Sequence, residues 1–181
     1  MQNKDYFTKK FFKECLKVEV YKNSNTLIGK IWARYFKPET NSVYLIRKYL
    51  YKVHSSRNKI KICLLRKKLM IRYGIHVSEN TRIGLGLDIR HPSTIMITNA
   101  KIGEKCVLFH NVTIGAKHEN ADMENSPVIG NNVVFYSNSA CYGKIAICDN
   151  VRIGSFSCAT NDIVESGTYA GVADKMIKIA E

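Results

Sequence analysis

Five histidines are the side chains of this sequence best suited to proton transfer near neutral pH: His54, His76, His91, His110 and His118. An imidazole titrates close to ambient pH, so it can take a proton from a hydroxyl and later return it. Context separates two of them. His91 sits in "DIRHPST", just after a core isoleucine and before a turn-favouring proline, and His110 sits further along in "LFHNVTIG". His118 falls in a polar stretch, "AKHENADMENSP". The six cysteines (Cys15, Cys63, Cys106, Cys141, Cys148, Cys158) form no CxxC pair and show no zinc-like spacing. They read as reduced core thiols of a cytosolic protein, and no metal is expected.

The elements that must position these residues are announced by a six-residue period. From Ile129, aliphatic or small residues recur as Ile129, Phe135, Cys141, Ile147, Ile153 and Ala159. A second series keeps step four residues later: Val133, Ser139, Ile145, Val151, Ser157 and Ile163. Upstream the period runs through Ile83, Ile89 and Ile95, then slips by one residue to Ile102, Leu108 and Ile114. Six is neither a helix period nor strand alternation. It marks a parallel β-helix, in which three short strands make one triangular coil of about 18 residues and coils stack at strand spacing. The span from Ile83 to Ile163 holds about four and a half coils. His110 lies one coil plus the slip beyond His91, so the two should stack on one edge. Residues 116–127 carry no hexad and read as an external loop.

Residues 1–73 differ in kind. They carry 19 Lys/Arg against 4 Asp/Glu, whereas residues 74–181 carry 9 against 11. All of the net charge of +13 therefore resides at the N-terminus. Apolar residues at three- and four-residue spacings predict helices, with breaks at Lys37–Ser42 and Ser55–Asn58 and an end at Gly74. The expected organisation is a basic helical region over residues 1–73 and a β-helix domain over 74–181. No run of about 18 apolar residues is present, so no membrane span is expected, and the N-terminus lacks the apolar core of a signal peptide. The helical region reads as a cap on the β-helix. It also reads as a peripheral contact with an anionic inner membrane face, lysines toward lipid phosphates and Tyr44, Leu45, Tyr49, Leu50, Leu64, Leu65 and Leu69 facing inward. Nucleic acid is not expected as a partner, because no nucleic-acid module accompanies the charge.

The stretches "YGIHVSENTRIGLGLDIRHPSTIMI", "NVTIGAK", "IGNNVVFYSNSACYGKIAICDNVRIGSFSCAT" and "GTYAGVADKMIK" resemble the hexapeptide-repeat acyltransferase family. The similarity is to its serine acetyltransferases and polysaccharide O-acetyltransferases, and runs from about Tyr73 to Lys178. The resemblance implies a left-handed β-helix, a homotrimer with sites between adjacent subunits, and acetyl-CoA lying along the groove between prisms. It implies His91 as general base on an acceptor hydroxyl, with groove backbone N–H groups for the oxyanion. His110 could orient the acceptor or share the proton, and Asp88 could orient His91; a solvated corner residue is the plain alternative for the histidines. CoA is expected near Ser137, Ser139, Ala140, Ser155, Ser157, Thr160 and Asn161, with Lys175 and Lys178 near its phosphates. For each serine the alternative is a small residue that the corner requires. The acceptor is expected near His76, Arg90, Asn111 and His118.

Departures from the serine enzymes shape the acceptor. His76 and Arg90 stand where those enzymes have aspartates, and the 116–127 loop lacks an arginine to grip a carboxylate. These features predict an O-acetyltransferase acting on a sugar hydroxyl in cell-surface polysaccharide synthesis. Serine O-acetyl transfer in cysteine synthesis is the alternative. A metal-dependent hydratase of the γ-carbonic-anhydrase type ranks lower, because His110 and His118 are wrongly spaced for that family's ligands. A non-catalytic repeat protein is the remaining option.

Overall fold

The computed structural model describes residues 6–116, 123–172 and 177–180. The chain enters through α1 (Lys9–Cys15), which runs on as one π-helical stretch (Leu16–Val20), then α2 (Leu27–Tyr35), α3 (Pro38–Ser55) and α4 (Lys59–Tyr73). Local chemistry sets these bounds. Thr8, Thr26 and Asn58 accept backbone N–H bonds as N-caps, and Pro38 opens α3 where its missing donor is harmless. Gly74 closes α4 in the left-handed conformation, with φ of 63°. A break between the π-helical stretch and α2, at positions 21–26, is not foreseen by the sequence pattern.

Among the described residues fifteen short strands follow. The first coils hold β1 (His76–Val77), β2 (Arg82–Ile83), β3 (Asp88–Ile89), β4 (Met96–Ile97), β5 (Lys101–Ile102), β6 (Val107–Leu108) and β7 (Thr113–Gly115). Beyond the loop come β8 (Val128–Ile129), β9 (Val134–Phe135), β10 (Ala140–Tyr142), β11 (Ala146–Ile147), β12 (Val151–Ile153), β13 (Cys158–Ala159), β14 (Gly167–Ala170) and β15 (Ile177–Ala180). They form three sheets, β1-β4-β7-β10-β13, β2-β5-β8-β11 and β3-β6-β9-β12-β14-β15, parallel throughout except for the β14–β15 pair. This is the parallel β-helix that the hexads predict.

Each sheet stacks one inward residue per coil. Ile83, Ile102, Ile129 and Ile147 align on one side and Ile89, Leu108, Phe135 and Ile153 on the second. Val77, Ile97, Ile114, Cys141 and Ala159 align on the third, and all these side chains are buried. The stacking corrects the expected slip. Ile95 is buried, but Ile97 is the residue in register with Ile114. The step from Ile89 to Ile97 is thus eight positions, two more than the hexad, and the step from Ile97 to Ile102 is five. The irregularity is a two-residue insertion in the Arg90–Ile95 corner, answered by a one-residue deletion at Asn99. Cysteine burial also differs in part from expectation: Cys15, Cys106 and Cys141 are buried, Cys148 and Cys158 are half-buried, and Cys63 is exposed.

The helices and the β-helix share one continuous apolar core. Tyr44, Leu45, Tyr49, Leu50 and Leu69 lie within it, Leu65 packs at its margin, and Leu64 faces solvent. The joint is pinned by a buried ion pair absent from the sequence reading. Arg47 donates through Nε to Glu19 Oε2 at 2.9 Å and through Nη2 to Glu19 Oε1 at 2.6 Å. Its Nη1 and Nη2 also reach the carbonyls of Ile83 and Gly84 at 2.7 and 2.6 Å. Glu19 Oε1 accepts the N–H groups of Gly86 and Leu87 at 2.8 and 3.0 Å. Both side chains are nearly inaccessible, so neither charge has water to fall back on.

Arg47→Met should therefore strand the Glu19 carboxylate and destabilise the fold by about 3–5 kcal/mol. Adding Glu19→Leu removes the stranded charge and should restore part of that loss, the backbone groups of residues 83–87 losing their side-chain partners. Denaturant unfolding at fixed protein concentration checks both; equal stability of Arg47→Met and the parent would contradict the role given to the pair.

Candidate active site

The inserted corner is where the β-helix departs from regularity, and His91 is in it. Ordinary corners on this edge turn through one left-handed residue per coil: Asn111, Asn138 and Phe156, with φ of 57°, 61° and 58°. The first coil needs two, His91 at 56° and Thr94 at 51°. Left-handed backbone is tolerated by asparagine and histidine and is unfavourable for a β-branched residue such as threonine. The corner holds because it is tied on both sides. Arg90 N–H donates to Leu108 O at 2.7 Å, Thr94 N–H to Tyr73 O at 2.9 Å, and Asn111 N–H to Ser93 O at 2.9 Å. The result is an exposed imidazole on a fixed backbone.

Register places His110 on the same edge, because Ile89 stacks on Leu108 and each histidine follows its partner by two positions. The two rings lie edge to face, centroids 6.4 Å apart and planes at 71°. The same offset in the next two coils gives Ser137 and Ser155. One edge thus reads His91, His110, Ser137, Ser155 from coil to coil. Ser137 Oγ lies 3.4 Å from His110 Nδ1, a long contact that can hold the ring. Asn111 is exposed beside His110 and donates from Nδ2 to Asn138 Oδ1 at 2.6 Å. Phe109 and Tyr136, with ring centroids 5.2 Å apart, flank the histidine edge. Sequence reasoning passed over this aromatic pair, although each residue immediately precedes an edge residue.

Other expected site residues fall elsewhere or are already engaged. Asp88 accepts from Arg90 Nε at 2.9 Å, and among the described residues it makes no hydrogen bond to His91. Arg90 remains mostly exposed beside that histidine. His76 is on β1 against Met96 of β4, on a different sheet from β3, which leads into the His91 corner. Burial holds the pKa of His76 below the usual histidine value, and the Arg66 charge adds to the effect. Ser139 and Ser157 are buried. Ser139 donates to Tyr136 O at 2.6 Å, and Ser157 Oγ accepts Gly171 N–H at 3.2 Å. Their hydroxyls therefore serve the corners and do not face the groove. Ser137 and Ala140 are half-buried and Ser155 is exposed, so these three can line it. Among the described residues Thr160 Oγ1 is buried with no hydrogen-bond partner, an open polar atom at the position expected for CoA. Asn161 is exposed. Lys178 Nζ lies 3.5 Å from Glu165 Oε2. His118 and Lys175 lie outside the described residues. Among the described residues, no cluster of three or more His, Cys, Asp or Glu could hold a metal ion.

Known proteins share this architecture. No protein-family model matches the chain. A serine acetyltransferase of Synechococcus elongatus is 30% identical over 105 residues, which is 58% of this chain and 43% of that relative. The chain is similar to serine acetyltransferases over part of its length, and its hexapeptide repeats build the same kind of β-helix. It spans less than half the length of that relative. A Neisseria gonorrhoeae serine acetyltransferase superposes with a TM-score of 0.79 at 19% identity, covering 96% of this chain and 68% of the other. A serine acetyltransferase solved in complex with CoA superposes with a TM-score of 0.72 at 16% identity, covering 96% and 72%. Both likenesses include the helical layer as well as the β-helix and establish the left-handed fold.

The depressed pKa of His76 has a measurable consequence. Below the ordinary value of 6.5, the unfolded chain takes up a proton at this residue before the folded chain does. Stability contributed by neutral His76 is thus complete above 6.5 and declines as pH falls toward the folded value. His76→Gln should flatten this part of the stability–pH curve. Parallel curves for variant and parent between about pH 7 and 5 would contradict the assignment.

Proposed function

We propose that this protein is an acetyl-CoA-dependent O-acetyltransferase with His91 as general base, acting as a homotrimer whose sites lie in the grooves between prisms. The observation that carries the reading is the pairing of His91 with His110 on an open edge lined by small residues. The inserted corner that presents His91 adds to it.

Acetyl-CoA supplies the acetyl group as a thioester. Ser137, Ala140, Ser155 and the unpartnered Thr160 Oγ1 fit a pantetheine arm lying along the edge. Lys178, and Lys175 beyond the described residues, would meet its phosphates, Lys178 on release from Glu165. His91 takes the proton from the acceptor hydroxyl as its oxygen attacks the thioester carbonyl carbon. The carbon–sulfur bond breaks, and His91 returns the proton to the departing sulfur. No net proton is gained or lost. His110, 6.4 Å away centroid to centroid, leaves room for one hydroxyl between the rings and positions it. Ser137 in turn restrains His110.

Serine is the acceptor favoured by the relatives, since both the Synechococcus and the Neisseria proteins are named serine acetyltransferases. One observation keeps a sugar hydroxyl as the second reading. Arg90 sets a cation immediately beside His91, and the acid nearest to it in sequence, Asp88, is paired to it. Engaged by Asp88, this arginine is not free to grip the carboxylate of an amino acid, whereas a sugar hydroxyl requires no such grip.

His91→Ala should lower acetyl transfer by about 10²–10⁴-fold while CoA binding is kept. CoA release assayed with L-serine and with a panel of sugars decides the acceptor. Turnover with serine alone supports the first reading, and turnover with sugars alone supports the second. An undiminished rate in His91→Ala would remove the proposed base.

A further inference from the structure

Helix α2 is built inside out. Its only buried residue is Ala33. Leu27, Ile28, Ile31, Trp32 and Phe36 are 74, 80, 46, 62 and 59% exposed. At 100° per residue these side chains and Tyr35 cover one half of the helix circumference. The opposite half carries Gly29 and Ala33, small enough for close approach to α3. Thr40 donates to Ala33 O and Asn41 to Arg34 O, so the helix is held in this orientation by side chains of α3. Arg34 also turns inward, donating to Tyr44 Oη with its guanidinium over that ring. Trp32 and Phe36 stack on the outer face with centroids 5.0 Å apart. A contiguous apolar face of this kind on a folded protein marks a surface that something covers.

The rim indicates the occupant. Lys30 of α2, and Lys22 and Lys37 on the segments before and after it, are exposed. Between Glu19 and Glu39 the sequence contains no acid. A second copy of the same face would bring these cations against one another. An anionic surface would complement them, and interfacial helices of proteins that lie on membranes combine just these features: apolar and aromatic residues on one face, lysines at its margin. The helix is about 13 Å long and would lie flat. Among the described residues no helix is long and apolar enough to cross a membrane. We propose that the outer face of α2 docks on an anionic lipid bilayer, with Leu27, Ile28, Ile31, Trp32 and Phe36 entering the headgroup–acyl boundary and Lys22, Lys30 and Lys37 meeting phosphates. This docking is independent of the acetyl-transfer reading.

Trp32 is the only tryptophan of the chain, so its fluorescence reports on the patch alone. The full chain is mixed with phosphatidylcholine vesicles and with vesicles containing about 30% phosphatidylglycerol. Trp32 emission should shift to the blue and the protein should sediment with the anionic vesicles only. Ile28→Asp/Ile31→Asp, at exposed positions that leave the core intact, should cut vesicle partitioning at least tenfold with an unchanged circular dichroism spectrum. No response of Trp32 to anionic vesicles would overturn the proposal. So would emission that ignores vesicles but follows protein concentration together with the oligomeric state, the signature of a second copy on this face.

Discussion

A triangular coil can stack on its neighbour only if each inward residue finds its partner one coil away, and that requirement governs the whole structure. The N–H and C=O groups of the strands pair between coils, with a few bonds closing turns within a coil, so a coil that lost register would leave a row of polar groups buried and unbonded. The first complete coil, from Ile83 to Ile102, is longer than three regular hexads, yet its inward side chains still align. It does so by concentrating the irregularity in one corner, where two extra residues are absorbed by left-handed turns at His91 and Thr94. The same constraint that forbids disorder in the sheets thereby confines the irregularity to a corner tied on both sides, with an exposed side chain held on a rigid frame. The proposed catalytic group occupies it.

The helical layer depends on that coil in turn. Arg47 and Glu19 bind carbonyls and N–H groups of residues 83–87, the segment that leads into Asp88, Ile89 and the His91 corner. The end of a β-helix is an open stack of unpaired groups and a hazard for aggregation. Here the helices cover part of that end with apolar side chains and a satisfied ion pair. The basic surplus of the helical layer is therefore mostly on the surface, while one arginine and one glutamate of the region work inside it.

How much was legible in the sequence follows from which signals are periodic. The hexads revealed the β-helix because every inward position demands an apolar or small residue, and Ile129, Phe135, Cys141 and their successors supply it without a break. The stacking of His91 and His110 followed from the same count. The position of the slip did not, because Ile95 is as buried as Ile97 and equally isoleucine, so apolarity alone could not say which of them stacks in register. The Glu19–Arg47 pair was hidden among many charges of a basic region, and nothing in residue type distinguishes a buried arginine from an exposed one. Serines at corners were equally ambiguous: Ser137 and Ser155 face the edge, whereas Ser139 and Ser157, two positions on, face inward. The orientation of α2 could not be foreseen either, since an apolar stripe ordinarily turns toward the core and this one turns away.

The edge bearing His91 and His110 is proposed to line the thioester site, and the sheet bearing His76 is not. Histidine side-chain NMR of the full chain, titrated with CoA, tests it directly. The His91 and His110 signals should move on CoA binding while those of His54 and His76 stay in place. Unmoved His91 and His110 signals at saturating CoA, or a response at His76 instead, would contradict it.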